Sequence, residues 1–233
     1  MSVRALLFDL DDTLYAERRF MLSGFAAVAA AVAMRVDAPR RTVFDQLVRA
    51  ARQGRRSTAF QEMCETWQLD HTILPSLLAT YREHRPCLRL PRIARAVLEA
   101  VHGTWRTAIV TNGPPDVQAR KVEALGVSAL VDVVVLAESC GTGRGKPERA
   151  VFMQALDAVG VRPRHAVMVG DDPWCDVAGA RAAGLQTIRV RRGRLREAAQ
   201  RGRPLLDEQR QQVIARLEQW LDAIHVARAQ PRP

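Results

Sequence analysis

The stretch "LLFDLDDTLY", residues 6–15, passes from an apolar run straight into Asp9, Asp11 and Asp12. A short apolar run closed by polar residues reads as a buried strand, so three acids stand at its mouth, where their charges repel one another. Aspartate is also an ordinary turn and cap residue. A cluster at a strand end acquires a further meaning only if a cation or a phosphate belongs there, and the rest of the chain decides between the two.

Working outward, the apolar runs "RALLF" (4–8), "RTAIVT" (106–111), "VDVVVLA" (131–137), "HAVMVG" (165–170) and "QTIRV" (186–190) read as five strands. Helical stretches separate most of them. Residues 115–125 carry Val117, Val122 and Leu125 and stop at Gly126; residues 147–159 open on Pro147 and stop at Gly160; residues 173–183 stop at Gly184. Strands alternating with helices predict an α/β fold, a Rossmann-like parallel sheet of about five strands with helices on both faces.

The interval after the acidic loop breaks this alternation. Met21, Phe25, Val28 and Val32 share one helical face, as do Val43, Phe44, Leu47 and Val48, then Phe60, Met63, Cys64 and Trp67, then Leu74, Leu77, Leu78 and Tyr81. Four amphipathic helices predict an all-helical cap at 16–90, inserted into a core made of 1–15 and 91–233. "PCLRLP" (86–91) is the return linker, with Pro91 opening the next helix. An insertion at that point would sit over the carboxyl ends of the strands, where open α/β sheets bind ligands. From Arg191 onward an Arg-rich linker precedes a helix with Val213, Leu217, Trp220, Leu221 and Ile224 on one face.

Composition bounds the partners. The 233 residues carry a net charge of +10, and of the 35 Lys and Arg residues only Lys121 and Lys146 are lysine. Such a bias reads as the coding habit of a GC-rich genome, and the arginines are spread along the chain rather than gathered on one face, which argues against nucleic acid. The excess still favours small anions. The cysteines at 64, 87, 140 and 175 form no CxxC pair, and the five histidines show no ligand spacing, so neither a zinc cluster nor a disulfide framework is expected. No apolar run reaches about 18 residues, so no membrane span is expected. The N-terminus lacks the long apolar region of a secretory signal, and the expected location is cytoplasmic, as a monomer or homodimer.

Four strand ends hold polar residues that fit one chemistry: Asp9-Leu10-Asp11-Asp12-Thr13, then Thr111-Asn112-Gly113, then Lys146 in "GTGRGKPE", then Asp171, Asp172 and Asp176 in "GDDPWCD". In this order they resemble the four motifs of the haloacid dehalogenase-like hydrolases, in the phosphatase branch whose helical cap follows the first motif, as in phosphoglycolate phosphatases and nucleotidases. The resemblance covers residues 4 to about 190. It implies that Asp9 is the nucleophile, Asp11 the general acid and base, and Thr111, Asn112 and Lys146 the groups that hold phosphoryl oxygens. It also implies Mg²⁺ on Asp9, the Asp11 backbone carbonyl and Asp171, with Asp176 and Asp172 behind them. Electrostatics requires the cation, because a phosphate dianion does not otherwise approach a carboxylate. The expected function is a Mg²⁺-dependent phosphomonoester hydrolase acting on a small phosphorylated metabolite through an aspartyl-phosphate. Asp11 argues against the dehalogenases, which resemble this family but lack an acid there. A phosphomutase, or a non-catalytic nucleic-acid-associated protein using the basic surface, are the alternatives. Arg49, Arg52, Arg55 and Arg56 are either a solvated helix end or selectors of an anionic substrate.

Overall fold

The computed structural model describes residues 3–190. The helix expected from Val213 to Ile224 lies outside the described residues. Five strands, β1 (Ala5–Phe8), β2 (Arg106–Thr111), β3 (Val133–Leu136), β4 (Ala166–Gly170) and β5 (Gln186–Arg189), form one parallel sheet in the order β3-β2-β1-β4-β5. This is the doubly covered α/β sheet that the apolar runs predict. All of β4, and β2 beyond its first residue, is buried, as parallel strands packed on both faces must be.

The first strand is the central one. Ala5 pairs with Arg106 on one side and Ala166 on the other, and Phe8 with Ile109 and Val169. The Asp9 N–H extends this ladder by donating to the Val169 carbonyl at 2.9 Å. The register therefore sets the ends of β1, β2 and β4 side by side, and with them three of the four polar loops.

Among the described residues four α-helices accompany the sheet: α5 (Arg92–Val101), α6 (Pro115–Leu125), α7 (Arg149–Val159) and α8 (Gly179–Ala182), the last preceded by a π-helical turn at Pro173–Ala178. Phe152 and Leu156 of α7 pack into one cluster with Leu7, Val110, Val135 and Met168 of the sheet. Full burial of such side chains contributes about 1.5–3 kcal/mol each. α6 and α7 end at Gly126 and Gly160, both left-handed, as the sequence requires.

Two boundaries differ from expectation. α7 begins at Arg149 rather than Pro147, because Pro147 is used as a packing surface: a Cβ on Gly179 would lie 2.7 Å from its ring. The segment 173–183 is not one α-helix. The Val177 N–H reaches back five residues to the Asp172 carbonyl, which widens the turn around Asp176.

The described chain divides into two compact units, one of them Arg18–Leu88. That unit contains α1 (Arg18–Ala33), α2 (Arg40–Arg52), α3 (Ala59–Thr66) and α4 (Leu74–Glu83) and no strand. Its core gathers Phe25, Val28, Val32, Val43, Leu47, Met63 and Leu77, the residues of the four predicted stripes. Leu78 departs from its stripe and is 38% exposed. The Tyr81 ring lies across Gly24, where any side chain would collide with it, and meets Phe20, Phe25 and Phe60 at centroid distances of 5.8–5.9 Å. Arg55 pairs with Glu62 at 3.0 Å, and Arg56 donates to the Tyr81 hydroxyl at 3.1 Å.

Candidate active site

The strand order brings Asp9, Asp176 and Lys146 together although 137 and 30 residues separate the paired partners. The Lys146 ammonium is fully engaged: it donates to Asp9 Oδ1 and Asp176 Oδ1, each at 2.7 Å, and to the Val110 carbonyl at 2.8 Å. Three donors meeting three acceptors is what a buried ammonium needs. Burial alone would lower the Lys146 pKa, but the two carboxylates outweigh it and raise it. The ammonium is therefore a fixed positive charge beneath Asp9.

Asn112 holds this lysine from its backbone side. Its side chain accepts from the Lys146 N–H and donates to the Lys146 carbonyl, both at 2.8 Å. Nothing in the local residue pattern signals that clamp. Asp176 is similarly occupied, since its Oδ2 accepts the Asp172 N–H at 3.0 Å. Its carboxylate lies so close to Gly170 that a Cβ there would overlap it; glycine ends β4 for that reason. Asp172 turns away from the cluster and caps the π-turn, with its Oδ1 accepting the N–H groups of Trp174 and Cys175 at 2.8 and 2.7 Å.

Asp9, Asp171 and Asp176 place carboxylate oxygens within 4.8 Å of one another. Burial, followed by the charges of Asp9, Asp176, Asp12 and Asp172, pushes the Asp171 carboxyl up to about 7. Burial is also the largest influence on Asp9 and raises it, with Lys146 opposing and Asp176 and Asp11 adding to the rise. One ammonium thus leaves the cluster short of positive charge. A set of hard oxygen donors in that condition fits a divalent cation. With both Asp176 oxygens already engaged, Asp9 and Asp171 are the side chains suited to hold it. The Cys175 thiol is pushed up to about 11 by burial and by Asp172 and Asp176, which favours the neutral thiol.

The Asp11 carboxylate lies apart from this cluster in a second network. Oδ1 accepts the Tyr15 hydroxyl at 2.5 Å, and Oδ2 accepts Lys121 Nζ at 2.6 Å and Gln118 Nε2 at 3.3 Å. Gln118 Oε1 in turn accepts the Thr111 hydroxyl at 3.0 Å, so the loops after β1 and β2 are joined through α6. Burial and then the Asp11 charge raise the Tyr15 pKa, which keeps the phenol a donor. Tyr15, Gln118 and Lys121 are absent from the sequence-derived set. Thr13 is buried, and its hydroxyl finds no partner among the described residues.

Known proteins resemble this chain in sequence and in fold. Phosphoserine phosphatase of Thermus thermophilus is 38% identical over 115 residues, a stretch covering 49% of this chain and 45% of that protein. The aligned stretch thus spans under half of that relative's length. Glyceraldehyde 3-phosphate phosphatase of Methanopyrus kandleri is 27% identical over 222 residues, covering 84% of this chain and 87% of the relative. Among solved structures, the HAD-hydrolase YfnB of Bacillus subtilis bound to magnesium superposes with a TM-score of 0.58 at 20% identity, over 89% of this chain and 92% of its own. At that identity the likeness speaks for the fold. The haloacid dehalogenase-like hydrolase model matches residues 3–184, and with the sheet order and the clustered carboxylates this establishes that the chain belongs to the haloacid dehalogenase-like hydrolase family.

Proposed function

We propose that the protein is a Mg²⁺-dependent phosphomonoester hydrolase that acts on a small phosphorylated metabolite through an aspartyl-phosphate on Asp9. The observation that carries this reading is the buried Asp9 carboxylate, backed by a fully engaged ammonium and flanked by Asp171 and Asp176 in a cluster short of positive charge. The named phosphatases among its relatives support the substrate class.

Asp9 and Asp171 would hold the cation, with the Asp11 carbonyl as a further oxygen. When bound there, Mg²⁺ would offset the repulsion between the phosphate dianion and the carboxylates. An Asp9 oxygen attacks phosphorus, and the bond to the ester oxygen breaks as the aspartyl-phosphate forms. Asp11 gives its proton to the departing oxygen, then takes one from the water that attacks phosphorus and releases phosphate, which regenerates both residues. The Thr111 hydroxyl, the Asn112 N–H and Lys146 act on the charge that builds on the phosphoryl oxygens. Asp176 acts indirectly by fixing Lys146, and Asp172 by holding the turn that carries Asp176.

The test is phosphate release from p-nitrophenyl phosphate by the wild type and Asp9→Asn, each with Mg²⁺ and with EDTA. Release that needs both Asp9 and Mg²⁺ is expected. Release that survives Asp9→Asn would overturn the mechanism.

A further inference from the structure

In a chain that writes arginine for nearly every basic residue, lysine occurs only at positions 121 and 146. Both residues are buried, Lys121 at 3% and Lys146 at 4% exposure. Each closes on an acid of the same strand-end loop, Lys146 on Asp9 at 2.7 Å and Lys121 on Asp11 at 2.6 Å. A compact ammonium on a flexible stem differs from a planar guanidinium fork in both volume and directionality. The two positions that escape the arginine bias are thus the two where a point charge must fit inside the protein against a reactive carboxylate.

The Lys121 pair is not a surface ion pair, since its side-chain exposures are 4% and 20%. It is also not a simple two-body contact. Gln118 and Lys121 stand three apart on α6, which places them on one helical face, and both converge on Asp11 Oδ2 while the Tyr15 hydroxyl donates to Oδ1. One oxygen is therefore anchored from a rigid helix, and the other is held by a hydroxyl that can rotate. α6 starts four residues after Thr111, and Gln118 also binds Thr111. The element that grips the acid thereby grips the phosphoryl-binding loop as well.

We infer that Lys121 is a positioning residue for Asp11. With Gln118 it anchors Oδ2, so that Oδ1 is the oxygen presented to the leaving group. The inference rests on the phosphatase reading above and adds to it the group that aims its acid. Proton donation matters most when the departing alkoxide is a poor leaving group and least when it is p-nitrophenolate. A misaimed Asp11 therefore shows itself as increased sensitivity to the leaving group.

The experiment compares kcat/KM for glycerol phosphate and p-nitrophenyl phosphate in the wild type, Asp11→Asn, Lys121→Met and Lys121→Arg, with melting temperatures recorded for each. This parameter covers only steps up to ester cleavage, so the later attack of water does not enter. Lys121→Met should lower kcat/KM for the alkyl ester about 10- to 100-fold more than for the aryl ester, in the same sense as Asp11→Asn. Lys121→Arg, which keeps the charge and displaces it, should show a smaller loss of the same selective kind; it also decides the matter if the methionine variant does not fold. Equal losses on both esters in the Lys121 variants, beside a selective loss in Asp11→Asn, would overturn the inference and leave the phosphatase reading standing. A non-selective Asp11→Asn, or a wild type that cleaves neither ester, would remove that reading and the inference with it.

Discussion

Lys146→Met tests how much of the fold depends on the ammonium under Asp9. Methionine fills nearly the same volume, so packing is largely kept while three hydrogen bonds disappear. Asp176 and Asp9 then face each other with side-chain exposures of 2% and 9%. Removing one partner of a buried pair costs about 3–5 kcal/mol, because the remaining charges are left unmet in a poor solvent. Against a total stability of about 5–15 kcal/mol, that is a large share. The loss must also depend on pH. Asp9 is already raised by burial, and without Lys146 its native-state pKa moves further above the unfolded one. The native state of the variant therefore binds protons that the unfolded chain does not, and its stability recovers as pH falls. Urea unfolding in EDTA, followed by tryptophan fluorescence at pH 8 and pH 5, should give a deficit of about 3–5 kcal/mol at the higher pH and a smaller one at the lower. A deficit under about 1 kcal/mol at pH 8, or one that does not shrink on acidification, would refute this account of the site.

Asp171→Asn should stabilise the metal-free protein at pH 8. Its carboxyl is raised to about 7, so its ionisation weakens the fold as pH rises through that value; after discounting for partial exposure the gain is about 1–2 kcal/mol, and it should vanish by about pH 4, as urea melts would show. Asp132→Ala should destabilise in the opposite pH sense. Burial works against this carboxylate, but the Thr107 N–H and hydroxyl, at 2.7 and 3.0 Å, hold it below its ordinary range; a loss of about 1–3 kcal/mol is expected at pH 7, with the gap to the wild type closing as the pH falls below about 4. Gly170→Ala should displace Asp176, cost about 1–3 kcal/mol and cut turnover of p-nitrophenyl phosphate by about 100-fold; an alanine variant with wild-type turnover would show that Asp176 does not need its place.

The sequence carried the sheet because each strand is a continuous apolar run with a polar stop, a local signal. It carried the four helical stripes of Arg18–Leu88 for the same reason. Asp9, Lys146 and Asp176 were legible as motif residues, and the structure brings them into contact. Lys121 and Gln118 were not legible by the same route. They sit in a helix whose alternation of charged and apolar residues reads as a solvated face, and their partner Asp11 lies 110 and 107 positions away. The signal that could have found Lys121 was compositional, a lysine where nearly every other basic residue is arginine. The Asn112 clamp had no signal, because an amide beside a glycine is commonplace in turns, whereas an acid directly before a proline is the pattern of a helix start and fits the Asp172 cap. Pro147 misled for a plain reason: proline suits the first turn of a helix, and here it packs against Gly179 instead.

The central place of β1 has a consequence for how the chain is made. Ala5 must wait for Arg106 before its first ladder partner exists, and for Ala166 before its second. The strand that leads into Asp9 is therefore synthesised before either neighbour and is enclosed only after both have emerged. Pairings of such sequence separation are slow to form. During translation the four helices of Arg18–Leu88, whose contacts are mostly local, are complete well before the sheet can close. The acids after β1 stay hydrated throughout that interval, and their mutual repulsion is felt only when β4 arrives, together with the loop that brings Lys146.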